Sequence, residues 1–91
     1  MPCKYLAELV GTFMFMNCVL SGQPVQIAVG LLSSVYVFGM VSGGHFNPAV
    51  TLMSYLKGEV SSCVAVTYVL VQLIAACGAL MWNIALKKKL A

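Results

Sequence analysis

Apolar positions run almost unbroken along this chain, interrupted by short clusters of turn-forming residues. The first run covers about residues 5–20 and is broken by Ser21, Gly22, Gln23 and Pro24. The second, about residues 25–41, gives way to Ser42, Gly43 and Gly44. A short run follows, about residues 48–56, closed by Lys57, Gly58 and Glu59. The last covers about residues 61–86 and is more apolar from Val64 onward. At 1.5 Å per helical residue the three long runs match a hydrocarbon layer of about 30 Å, the second only barely. The short run covers roughly half of it.

The short run carries helix signals at its start. Asn47 is a strong N-cap residue, and Pro48 suits the first helical position. Lying between two spans, an apolar helix of that length is expected to be re-entrant. In isolation Asn-Pro would only cap a helix. The pattern predicts an all-α membrane protein with three transmembrane helices and one re-entrant half-helix, forming a single module over residues 1–91 and an integral, multi-pass component of the bilayer.

Composition sharpens this reading. The chain is 62% hydrophobic and only 8% charged, so a water-soluble helical domain of 91 residues could not hide its apolar surface. The net charge of +3 does not indicate nucleic acid. Lys87, Lys88 and Lys89 are consecutive, which suits a membrane–water boundary. Cys3, Cys18, Cys63 and Cys77 form no CxxC pair, so neither a disulfide framework nor a metal site is indicated. Glu8 near the start of the first run, and the lack of a convincing cleavage site, favour a retained span over a signal peptide; a signal anchor is the alternative.

Glu8 is the residue that most needs a reason, because a carboxylate in an apolar span is expensive. It could pair with Lys4 one turn away at the headgroup level. Alternatively it points inward and accepts hydrogen bonds from the loop around Gly43 to Phe46, whose backbone must be satisfied internally at membrane depth. Two adjacent glycines let that backbone pass close to a neighbour and expose carbonyls. A carbonyl row, an Asn47 amide and the positive end of a half-helix suit the passage of neutral solutes and disfavour cations. His45 has no second histidine or nucleophile beside it and reads as structural. Gly30 and Ser34, with Gly78 in a small-residue patch of the last span, suit close helix packing. Tyr68 and Gln72 share a helix face and suit interhelical hydrogen bonding. No catalytic residue, metal or cofactor is called for.

The stretch Ser42-Gly43-Gly44-His45-Phe46-Asn47-Pro48-Ala49-Val50-Thr51 resembles the first signature loop of the aquaporin and aquaglyceroporin (major intrinsic protein) family. Ala7-Glu8-Leu9-Val10-Gly11-Thr12-Phe13 resembles the family's first helix, and Ala28-Val29-Gly30-Leu31 its second. Tyr68 and Gln72 resemble its third. The resemblance implies one half of the family's inverted repeat, with the spans in a right-handed arrangement. It also implies Asn47 as the pore asparagine, Gly43, Gly44 and His45 lining the path through their carbonyls, and Glu8 bracing the loop. Ile27, twenty positions before Asn47, falls where the family places one side chain of its narrowest point. It offers no hydrogen bond, so glycerol or ammonia is expected alongside water.

The second Asn-Pro-Ala loop and the last three spans of the family have no counterpart in these residues. The expected function is a passive channel module for water or small neutral solutes that needs a second half-channel chain, or a copy of itself in an inverted homo-oligomer. A truncated, non-conducting subunit that associates with full-length members is the alternative. The family's topology implies Lys4 and Lys57 on the cytoplasmic side and Lys87–Lys89 on the other, a weak or even reversed positive-inside bias that a dual-topology protein and a cut in a longer loop would equally show.

Overall fold

A computed structural model describes residues 2–90. These described residues fold into four helices: α1 (Pro2–Leu20), α2 (Pro24–Ser42), α3 (Pro48–Leu56) and α4 (Ser62–Leu90). Proline opens α2 and α3, where its missing N–H costs nothing and its fixed φ is already helical. α1 starts at Pro2, ahead of the apolar run. Gly43 ends α2 in the left-handed region, at φ 93°, and its N–H closes on the Gly39 carbonyl at 2.7 Å. At the far end α4 continues past Leu86 through Lys87, Lys88 and Lys89, because lysine is a good helix former and its charge favours a helix C-terminus.

α1, α2 and α4 are each long and apolar enough to cross a membrane, and α3, at nine residues, is not. α1 stands in the middle, packed against α2 on one side and α4 on the other, and α3 lies against α4. Small residues set the α1–α2 contact. Gly30 is buried with the Cys18 side chain in the space a Cβ would need, and the buried Ser34 hydroxyl donates to the Gly11 carbonyl at 3.0 Å. Across the α1–α4 seam the Phe13 ring covers Gly78.

The distribution of burial is the reverse of a water-soluble protein. Much of the interior is polar: Glu8, Thr12, Ser34, Ser42, Thr51, Ser54 and Gln72 are buried beside Ala7, Phe46, Tyr68, Ala75 and Ala79. Most large apolar side chains of all four helices face outward, Met40 and Tyr36 among the most exposed. Lipid satisfies such a surface, and polar groups gather inside because hydrocarbon offers them no partners.

The segment between α2 and α3 dips into the bundle. Phe46 packs on Gly11, roughly halfway along the 19 residues of α1. From that depth α3 runs back toward the end of the bundle where α1 and α4 begin, Thr51 reaching Gln72 and Tyr55 approaching Ser62. The fold is thus three spanning helices with a short non-spanning helix whose N-terminus starts inside the bundle.

Candidate functional site: the loop held by Glu8

The deepest polar feature is the carboxylate of Glu8, with no exposed surface. It accepts four hydrogen bonds. Oε1 takes the Phe46 N–H at 2.9 Å and the Gln72 Nε2–H at 2.9 Å. Oε2 takes the His45 N–H at 3.1 Å and the Ser42 hydroxyl at 2.7 Å. Four donors match the lone-pair sites of an ionised carboxylate. Lys4 is not among the partners; its Nζ lies over the Tyr5 ring, 5.4 Å from the centroid.

Ser42 extends this reach by one residue. Its hydroxyl donates to Glu8 and accepts from the Gly44 N–H at 3.1 Å. Three successive N–H groups, of Gly44, His45 and Phe46, therefore turn toward Glu8 and Ser42. All peptide bonds among the described residues are trans, and in a trans peptide the carbonyl points opposite to the N–H it shares a plane with. The carbonyls of Gly43, Gly44 and His45 consequently point away from the carboxylate, and among the described residues none of them accepts a hydrogen bond.

The loop keeps this shape through left-handed backbone. Gly43, Gly44 and Phe46 have φ of 93°, 68° and 53°. For glycine this is free; for Phe46 it is strained and must be held by its surroundings. Gly11 does much of the holding, because a Cβ there would occupy the space of the Phe46 ring. Tyr68 pins the loop's entrance, its hydroxyl donating to the Ser42 carbonyl at 2.6 Å.

Asn47 ends the loop. Its Oδ1 accepts the Ala49 N–H at 2.8 Å, and its backbone carbonyl accepts the Thr51 N–H at 3.1 Å. With Oδ1 engaged in the cap, the exposed amide has its NH2 left to donate. His45 is half-buried, its ring edge-on to Tyr68 with centroids 5.0 Å apart and Nδ1 2.9 Å from the Thr51 hydroxyl. Gln72 bridges Glu8 and Thr51, its Nε2 also 2.9 Å from the Thr51 hydroxyl.

The structure thus brings Glu8, Gly43, Gly44, His45, Asn47, Tyr68 and Gln72 into one neighbourhood. It leaves Ile27 apart: half-buried, near the start of α2, a helix that packs against neither α3 nor α4. Gly30 and Gly78 lie in helix seams away from the loop, and Ser34, in the α1–α2 seam, bonds the carbonyl of Gly11, on which Phe46 packs. The four cysteines are free. Ser42, Thr51, Phe46 and Gly11 complete the site and do not stand out one by one in the sequence. Thr51 has a usable signal, since one helical turn after Asn47 it shares that residue's face of α3.

Comparisons with known proteins agree with this architecture. The profile of the family described as Major intrinsic protein matches residues 22–90. A glycerol uptake facilitator protein-like 6 of Lactiplantibacillus plantarum is 39% identical over 83 residues, covering 80% of this chain and 38% of that protein. An Aquaporin Z of Photorhabdus laumondii is 33% identical, with 78% of this chain and 38% of its own length covered. Aquaporin-5 of Rattus norvegicus is 37% identical, with 87% and 34% covered. The chain therefore spans little more than a third of the length of these relatives. No solved structure gives a significant match.

Proposed function

Because the chain belongs to the major intrinsic protein family, a family of channels, we propose that it is a passive half-channel module for water or small neutral solutes such as glycerol, working once a second half-channel completes the wall. The observation that carries this reading is the peptide orientation of the loop. Glu8 and Ser42 take the N–H groups of Gly44, His45 and Phe46, so the carbonyls of Gly43, Gly44 and His45 form a free row of acceptors. A molecule shedding bulk water needs such replacement hydrogen bonds. Asn47 stands at the end of the row as a donor, at the N-terminus of α3, where the helix dipole is positive and opposes a cation. In this reading Glu8 works by bracing the loop.

Ile27 stands apart from the loop, but the family resemblance assigns its position to the narrowest point, where an apolar side chain suits a path open to glycerol as well as water. The printed names of the relatives, a glycerol facilitator-like protein and several aquaporins, point the same way. Three spans cannot enclose a path, so in this reading a second half-channel completes the wall, and a second half-chain or an inverted copy of this one can supply it.

The test is stopped-flow light scattering on proteoliposomes under water and glycerol gradients. The chain is reconstituted alone, and together with the C-terminal half of the Lactiplantibacillus relative supplied as a separate chain. Flux above empty vesicles in either preparation, lost in Asn47→Ala, supports the half-channel. No flux in both, with the helices correctly inserted, overturns it in favour of a non-conducting subunit.

A further inference from the structure

Gln72 and Thr51 are placed to decide which nitrogen of His45 carries the proton. The Glu8 carboxylate can only accept, so the Gln72 amide must present Nε2 to it, at 2.9 Å. The same Nε2 is 2.9 Å from the Thr51 hydroxyl oxygen, to which it donates its second hydrogen. Thr51 is fully buried, and its own O–H has one acceptor among the described residues, His45 Nδ1 at 2.9 Å. A buried hydroxyl left undonated would be costly, so Nδ1 is the acceptor and must be bare. The proton then resides on Nε2, which stands beside Gly43, 3.5 Å from where a Cβ on that glycine would lie.

We propose that Glu8, Gln72 and Thr51 form a relay that holds His45 as the Nε2–H tautomer, making it a hydrogen-bond donor set beside the carbonyl row. Gln72 and Thr51 are positioning residues in this scheme, and His45 determines specificity. The inference rests on the half-channel reading and adds to it a side-chain donor beside the loop's acceptors. Carbonyls of Gly43, Gly44 and His45 accept, and His45 Nε2, beside Gly43, donates. A neutral solute carrying both an O–H and an acceptor oxygen, as water and small polyols do, meets partners for both.

The test reads the ring directly and does not depend on flux, so it can fail or succeed independently of the channel reading. The chain has a single histidine, and 15N-histidine labelling therefore reports one imidazole. The labelled full chain in lipid nanodiscs is examined by long-range 1H–15N correlation, at a pH above the ordinary imidazole range. The expected spectrum shows a protonated Nε2 and a bare Nδ1. Thr51→Val should move the two ring nitrogens toward averaged shifts while the His45 and Phe46 backbone amides stay in place, and Thr51→Ser should restore the wild-type pattern. A protonated Nδ1 in the wild type, or an unchanged ring in Thr51→Val, overturns the proposal. Should Thr51→Val fail to insert, the wild-type and Thr51→Ser spectra still decide it, a bare Nδ1 in both supporting the relay and a protonated Nδ1 in either overturning it.

Discussion

The ring of Phe46 occupies the space that a side chain at Gly11 would need. Thirty-five positions separate the two residues (46 − 11 = 35), yet their contact sets how deep the loop sits in the bundle. Phe46 is held at φ 53°, a conformation an isolated phenylalanine avoids, and the notch at Gly11 is what receives it. Gly11→Ala should therefore destabilise the fold by about 1–3 kcal/mol, the usual range for overpacking a filled interior. Thermal unfolding in detergent, followed by circular dichroism, measures this. An unchanged midpoint would show that the loop moves aside without cost.

Glu8→Gln should release the loop while leaving the spans inserted. The amide keeps one acceptor oxygen and presents an NH2 to donors that had faced a carboxylate. At least one of the His45 and Phe46 N–H groups loses its partner, costing about 1–3 kcal/mol for a buried orphan. Hydrogen–deuterium exchange resolves this by position: faster exchange at residues 44–46 and little change in the middle of α1.

Ser34→Ala removes the interhelical bond to the Gly11 carbonyl at no cost in packing. Hydrogen bonds between helices in lipid contribute about 0.6 kcal/mol on average, so its loss should shift the unfolding midpoint only slightly. Gly30→Leu, by contrast, drives a side chain into Cys18 and should part α1 from α2. Comparing the two by unfolding in the same detergent separates hydrogen bonding from close approach at this seam.

Lys57 and Glu59 form an ion pair at 3.3 Å, but both side chains are more than half exposed, at 61% and 55%. Lys57→Ala should be neutral within about 0.5 kcal/mol, as exposed pairs usually are. A larger loss would mean that the turn after α3 does more than connect.

The helix order is legible in the sequence because each boundary carries its own chemistry. Pro24 and Pro48 can only begin helices here, and Gly43 can end one at positive φ. The ends of α1 and α4 are less legible, since polar residues such as Lys87–Lys89 continue a helix that the apolar pattern has already left. Glu8 is conspicuous as a lone charge in an apolar run. Its partners are not, because His45 and Gln72 lie 37 and 64 positions away and Lys4, the neighbour in sequence, is not one of them. Gly11 is an ordinary helix residue until the loop is folded against it, so only the three-dimensional structure reveals its part.

The central claim is that Glu8 conditions the path by turning the loop's N–H groups inward and its carbonyls outward. The most direct test is the water permeability of proteoliposomes carrying Glu8→Gln, in the preparation that conducts, with Ser34→Ala as the packing control. The account predicts that Glu8→Gln falls to the level of empty vesicles while Ser34→Ala conducts as the wild type does. Wild-type permeability in Glu8→Gln would contradict it.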